Sequence, residues 1–290
     1  MSAPPAAPTP PRSAALEVLA ALWARPHTRA CLVVAALYLL VALAGVAHLL
    51  PDAEAAVGAG QEPPSWHVAK LLGTDLLGRS VLWRVLAGAQ TAVLIGLATT
   101  ALAVPFGTAL GLAAGYFGGW VDAVVNWLYS VVVSVPDILL ITAISYSMGK
   151  GLASMCVAIA ATSWVGIMRL VRGEVLRHQG SDYVLAARSL GASPGRIMFS
   201  EILPNVVHVA IVTSTLVLLA AVKAEVILTW LGLGVQDGAS WGLLVAGAAQ
   251  DLASDIWGPL AGTAAAMFLL IYSLSAIGDA LRDVLDPRTA

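Results

Sequence analysis

The sequence predicts an all-α, polytopic membrane protein with six transmembrane helices and both termini in the cytoplasm. Three observations carry that expectation. Of 290 residues, 59% are hydrophobic and only 11% charged, whereas a soluble domain carries about a quarter charged residues. The apolar residues gather into uncharged runs long enough to cross roughly 30 Å of hydrocarbon. Finally, Lys and Arg distribute unevenly between the segments that join those runs. A net charge of −2 gives no ground for a nucleic-acid partner. Cys31 and Cys156 both lie inside apolar runs, so neither a disulfide framework nor a metal site is implied.

The elements follow in order. Residues 1–30 read as a cytoplasmic disordered tail, proline-rich over 1–12, followed by a surface helix over Ser13 to Trp23. Residues 31–290 form the membrane domain. Its first span, 31–50, is too long for the core of a cleaved signal peptide and is expected to stay. The remaining spans are expected near 91–115, 123–148, 151–169, 205–228 and 256–278. Pro105 and Gly107 kink or loosen the second, which neighbouring helices can cover. A polar segment, 51–90, separates spans one and two. "FGGW" and "MGKG" form tight turns around span three, and a polar loop, 170–204, precedes span five.

Six alternating spans with a cytoplasmic N-terminus place Arg12, Arg25, Arg29, Arg169, Arg172, Arg177, Arg188, Arg196, Arg282 and Arg288 inside. Lys70, Arg79, Arg84 and Lys150 then lie outside, with Lys223 near the outer part of span five. Ten against four favours this orientation.

The most patterned polar stretch is "DYVLAARSLGASPGRIMFSEILPN", 182–205. Ser181 can cap a short helix whose first turn holds Asp182. Gly191 stands at the position of a C-terminal glycine. Ser193-Pro194 reads as a cap followed by proline at the first helical position, opening a second helix that ends near Ile202; Pro204 then opens span five. Val184, Leu185, Leu190, Ile197 and Met198 supply apolar anchors among the charges, while Ala186, Ala187 and Ala192 leave backbone accessible. This pattern suits either docking into a groove of a partner or an amphipathic connector resting on headgroups.

The stretch resembles the cytoplasmic signature loop of bacterial ABC importer permeases: Glu-Ala-Ala, three residues, Gly, nine residues, Ile, any residue, Leu-Pro. Ala186-Ala187, Gly191 and Leu203-Pro204 match it. Leu185 stands at the glutamate position, and Glu201 takes the isoleucine place. "LLGTDLLGRSVLWRVLAGAQTAVLIG" (71–96), "AEVILTWLGLGVQDGASWG" (224–242) and "IGDALRDVLDPR" (277–288) resemble the C-subunit class of peptide- and nickel-type permeases, in the expected order. The resemblance implies the importer permease fold in a bacterial inner membrane. It implies a sister permease, two cytoplasmic ATPase subunits and an extracytoplasmic solute-binding protein as partners. ATP and Mg²⁺ would be used by the ATPases, with no cofactor bound by this chain. It also implies that Tyr183, Leu185, Ala186, Ala187, Gly191, Ala192, Ser193 and Arg196 form the coupling site, with less reliance on the charge that Leu185 replaces. The solute class implied is di- or oligopeptides, with nickel chelates or another small solute as the alternative.

Other residues admit two readings each. Asp137, directly after Pro136, either faces a translocation path or satisfies donors freed at a kink. Glu225 matches the family's acidic position before "LGLG" and belongs to the path or, structurally, to its outer gate; Lys223, two residues away, does not share its face. Thr74 or Asp75 can cap an amphipathic helix containing Val81, Leu82, Val85 and Leu86, which either meets a partner or stabilises the outer face. Trp66, Trp120, Trp230 and Trp241 read as interfacial anchors. The sequence contains no phosphate-binding Gly-Lys-Ser/Thr loop and no His-Glu-x-x-His spacing. A non-catalytic subunit is therefore expected, ahead of a membrane enzyme or a scaffold.

Overall fold

The computed structural model describes residues 14–235 and 238–285. The expectations for the 1–12 tail, Arg12 and Arg288 lie outside the described residues. In chain order the helices are α1 (Ala14–Ala24), α2 (Pro26–Val46), α3 (Val81–Phe117), α4 (Gly119–Val133), α5 (Asp137–Met148), α6 (Leu152–Gln179), α7 (Asp182–Ser189), the single turn α8 (Pro194–Arg196), α9 (Leu203–Trp230), α10 (Trp241–Ala253) and α11 (Gly258–Leu285). Among the described residues, five helices are long and apolar enough to cross a membrane: α2, α3, α6, the continuous stretch Pro194–Trp230, and α11. A sixth crossing results if α4 and α5 count as one span, although they meet at 89°.

That bend breaks the single third span expected over 123–148 at the residue where a kink is one of the two readings. Pro136 offers no N–H and pushes Val135 out of the helical region, so α4 ends at Val133, capped by Ser134, and α5 starts afresh. Two spans are also longer than the apolar runs suggest. α3 has 37 residues and begins ten before Thr91, because the Ser80 hydroxyl caps it by accepting from the Trp83 N–H at 3.3 Å. Pro105 sits inside α3 without ending it. α6 continues to Gln179 through a charged turn stabilised by Arg172–Asp122 and Arg177–Glu174. The helix opened by Pro194 does not stop near Ile202. It passes through a π-helical stretch, Ile197–Ile202, into α9. The wider turn falls just before Pro204, whose ring and missing N–H interrupt the regular ladder.

α3 and α6 form the backbone of the bundle and run parallel. Gly107, Gly111 and Gly115 present a strip without side chains to α6. A Cβ on them would stand 2.7 Å from the Trp164 carbonyl oxygen, 2.8 Å from that of Met168, and 2.7 Å from the Val175 Cβ. Such small-xxx-small spacing lets membrane helices approach backbone to backbone. The spacing stands in "FGTALGLAAG", but which helix it meets depends on α6, far along the chain. Because the contacts advance together, the C-terminal ends of α3 and α6 lie at one end of the bundle, with α7. The 51–80 segment, at the start of α3, lies at the other.

At that second end Trp241 is fully buried, not interfacial. Its indole Nε1–H donates to the Val85 carbonyl at 2.9 Å, and the ring fills the space left by Gly88. Trp66, Trp120 and Trp230 are exposed. Tyr38 of α2 donates to the Ala266 carbonyl of α11 at 2.7 Å, joining the first and last spans.

Candidate coupling face and transport cavity

Local chemistry shapes α7 at both ends. Ser181 takes the extended conformation of a cap, but its carbonyl, not its hydroxyl, receives the Val184 and Leu185 N–H groups. Gly191 adopts φ +78°. The Ala192 N–H donates to the Ala187 carbonyl and the Gly191 N–H to the Arg188 carbonyl, both at 3.0 Å, closing a Schellman motif. Ser193 then caps the next turn, accepting from the Arg196 N–H at 3.4 Å, with Pro194 at the first helical position.

One side of α7 is fixed to the bundle. Val184 is fully buried among Val171 and Val175 of α6, Ile197 and Ile202 of the π stretch, and Val206 of α9. The Tyr183 hydroxyl pairs with a ring nitrogen of His178 at 2.9 Å, and partial desolvation pushes its pKa up. Tyr183, Ala187 and Ala192 also pack against this cluster. The residues expected to form the coupling site therefore divide. Leu185, Ala186, Gly191, Ser193 and Arg196 are exposed, while Tyr183, Ala187 and Ala192 are half-buried and turned toward the bundle. Val184 and Ile197, expected as outward anchors, hold α7 in place instead. The outward apolar groups are Leu185, Leu190 (88% exposed) and Phe199 (63% exposed). Phe199 was missed because the π stretch that turns it outward cannot be read from periodicity.

A cavity of about 540 Å³ opens between the α4–α5 bend, α6 and α9. Its wall includes Pro136, Asp137, Ile141, Ile159, Thr162, Ser163, Gly166, Thr213, Val217 and Ala224. Thr162 and Ser163 donate their hydroxyls back to the Ile159 carbonyl, at 3.0 and 2.8 Å, and Thr213 donates to Val209 at 2.6 Å. These groups keep acceptor lone pairs for the cavity but have no free donor. Among the described residues, Asp137 is the only carboxylate on the wall. It lies in the first turn of α5, exposed, and accepts from the Ile138 N–H at 2.8 Å, where the helix dipole favours negative charge.

Glu225 is not on that wall. It is fully buried, its Oε1 accepting from the Thr229 hydroxyl at 3.1 Å, beside Ser240 and the Gly242 backbone at the start of α10. Thr229 lies against Gly242, where an added Cβ would stand 2.4 Å from the Thr229 Cβ. Glu225 thus lies where α9 meets α10, apart from Asp137, and Lys223 is exposed.

At the end opposite α7, Asp75 organises the 51–80 segment. Its Oδ1 accepts from the Leu77 and Arg79 N–H groups, both at 2.9 Å. Its Oδ2 accepts from Arg79 Nε at 2.7 Å and Arg84 Nη1 at 2.8 Å. Glu54 also pairs with Arg79. Neither Thr74 nor Asp75 caps α3; Ser80 does. Thr74 instead donates to the Ala59 carbonyl and accepts from the Glu62 N–H, each at 2.8 Å. The hydrogen bond from Lys70 holds the Glu62 carboxyl below the usual carboxylate range. Burial, then the charge of Asp75, pushes the Asp251 carboxyl of α10 up, against the pull of Arg84 and Arg79.

Several membrane-crossing helices, a cavity among them and a braced, exposed short helix at one end define a membrane transport subunit. The chain belongs to the family described as binding-protein-dependent transport system inner membrane component, whose model matches residues 107–290. It is similar to the dipeptide transport system permease protein DppC of Bacillus subtilis (strain 168), 37% identical over 217 residues covering 74% of this chain and 68% of that one. The oligopeptide transport system permease protein OppC of the same organism is 34% identical over 217 residues, 74% of this chain and 71% of that one. The di/tripeptide transport system permease protein DppC of Pseudomonas aeruginosa (strain UCBPP-PA14) is 36% identical over 231 residues, 78% and 76%. The chain is accordingly a multi-pass permease component of the inner membrane.

Proposed function

We propose that this chain is the non-catalytic permease subunit of an ATP-driven importer, forming with a sister permease the translocation path for di- and oligopeptides. α7 carries the reading: it is exposed on one side and fixed on the other to the ends of α6 and α9, the helices that bound the cavity. A force applied to α7 therefore reaches the cavity wall through packed side chains rather than through a slack loop. Two cytoplasmic ATPase subunits would use ATP and Mg²⁺, and an extracytoplasmic binding protein would deliver solute. Contact with the ATPase would put the α7 end in the cytoplasm, and with it the start of α2 and the end of α11. Leu185, Ala186, Leu190, Gly191, Ser193, Arg196 and Phe199 make the docking contact; Tyr183, Ala187 and Ala192 hold its shape. The names of the relatives support peptides as solutes.

The test is ATP-dependent uptake of labelled di- and tripeptides by proteoliposomes holding this chain with its sister permease, ATPases and binding protein. Leu190→Asp should weaken ATPase retention about tenfold or more, as loss of a central apolar contact does, and uptake should fall with it. Undiminished uptake and ATPase retention in Leu190→Asp would overturn the coupling role. Uptake of nickel chelates but not peptides would overturn the solute class alone.

A further inference from the structure

A second cavity, about 470 Å³, lies on the far side of the bundle, where α2 begins and α11 ends. Its wall combines charges of both signs: Arg25 and His27 at the start of α2, with Asp279 and Asp283 one turn apart on α11. Arg25 Nη1 donates to Asp283 Oδ2 at 2.9 Å. The guanidinium carries five N–H donors, so most of its capacity remains, and its side chain is half-exposed. Asp279 has no ion-pair partner among the described residues. Two carboxylates at i and i+4 repel each other, and Arg25 neutralises only one. The cavity therefore has an unused anion and an under-used cation side by side. Beside it Tyr272 accepts or donates a 2.7 Å hydrogen bond with His27 and stacks on Phe268, both rings being exposed on a membrane-crossing helix. Arg282 of α11 lines the adjoining crevice with Asp279 but makes no ion pair with it.

We propose that this cavity seats the headgroup of an aminophospholipid, with its phosphate on Arg25 and its primary ammonium on Asp279. The position fits, because the cavity lies at the membrane-entry end of α2 and the exit end of α11, where headgroups lie. The volume falls within the range of small-molecule sites. An ammonium between Asp279 and Asp283 relieves their repulsion. Phe268 and Tyr272 flank the site as an aromatic surface for the glycerol and upper acyl region. A choline headgroup, without N–H donors, loses the hydrogen bonds to Asp279; a glycerol headgroup leaves that carboxylate unpaired.

The test is lipid retention by the purified chain, measured by native mass spectrometry after exchange into equimolar phosphatidylethanolamine, phosphatidylcholine and phosphatidylglycerol. This readout does not depend on transport, so it separates from the function proposed above. The wild type should retain phosphatidylethanolamine preferentially. Asp279→Asn should lower that retention about two- to fivefold, the loss of one partly screened ion pair, and Asp279→Glu should restore it. Arg25→Gln should lower retention of all three lipids. Equal retention of phosphatidylethanolamine and phosphatidylcholine, a preference for phosphatidylglycerol, or an unchanged profile in Asp279→Asn would each overturn the proposal. Should Asp279→Asn fold poorly, the wild-type headgroup preference and Arg25→Gln decide alone.

Discussion

Gly191 sits at φ +78° with open space where a Cβ would point, so a substitution there meets backbone strain and nothing else. Gly191→Val should destabilise the end of α7 by about 1–2 kcal/mol, seen as faster amide exchange over 186–192 and as ATP hydrolysis that no longer tracks uptake. Gly191→Asn, which tolerates the left-handed region better, should lie between Val and wild type; equal behaviour of all three would remove Gly191 from the mechanism. Gly88 is the opposite case. A Cβ there would stand 2.5 Å from Trp241 Cδ1, so Gly88→Val should displace the indole and cost about 1–3 kcal/mol by overpacking, lowering Tm in detergent. At this scale the sequence was legible where the signal is local. Gly191, Ser193 and Pro194 announce their roles through neighbours a few residues away. Trp241 does not, because its burial depends on Gly88 in another helix, and the cue for an interfacial tryptophan is only proximity to a span end. Glu225 was similarly opaque: its partner Thr229 is local, but the contact with α10 that buries it is not.

Among the elements, the strip Gly107–Gly111–Gly115 does most to fix the cavity, because α6 provides one wall and α3 holds α6. Gly111→Leu should separate the two helices and lower Tm more than Gly166→Leu, which faces open space on the cavity side; an equal effect would mean that α3 and α6 are held elsewhere. α10 offers a pH test. The Asp251 carboxyl is pushed up by burial and by Asp75. Its contribution to stability is therefore full below the ordinary aspartate value of about 3.9 and is lost as pH rises through the raised value. Asp251→Asn should accordingly be more heat-stable than wild type at pH 7, with the difference closing as pH falls toward 4 in a thermal melt. The elements show where sequence reading stops. Uncharged runs located the crossings, but helices continue past them wherever charges find partners, as Arg172 does with Asp122, 50 residues away. Pro136 was visible as a disturbance; that it turns the chain by 89° rather than kinking it depends on the space left by α6 and α9.

On the scale of the molecule, α7 packs on α6, α6 lines the cavity, and α3, with the Asp75 network at its start, packs along α6. Both cysteines are buried, which leaves the native chain quiet toward thiol reagents. Ser163→Cys should therefore report on the cavity alone: in the assembled transporter its labelling rate should differ between nucleotide-free and ATP-bound states by about tenfold, as expected for a site that changes access. An unchanged rate would mean that this cavity is not part of the alternating path. The glycine strip has one more consequence, for how such a chain diversifies. The residues around the cavity, Ile159, Val217 and Ala224 among them, can drift in size and polarity as the solute changes. At positions 107 and 111 even an alanine Cβ would stand 2.7 and 2.8 Å from backbone oxygens of α6, and at 115 it would meet the Val175 side chain at 2.7 Å, so a side chain at any of the three must shift α6. A lineage adapting to a new solute is thus free to redraw the wall while inheriting its frame unchanged.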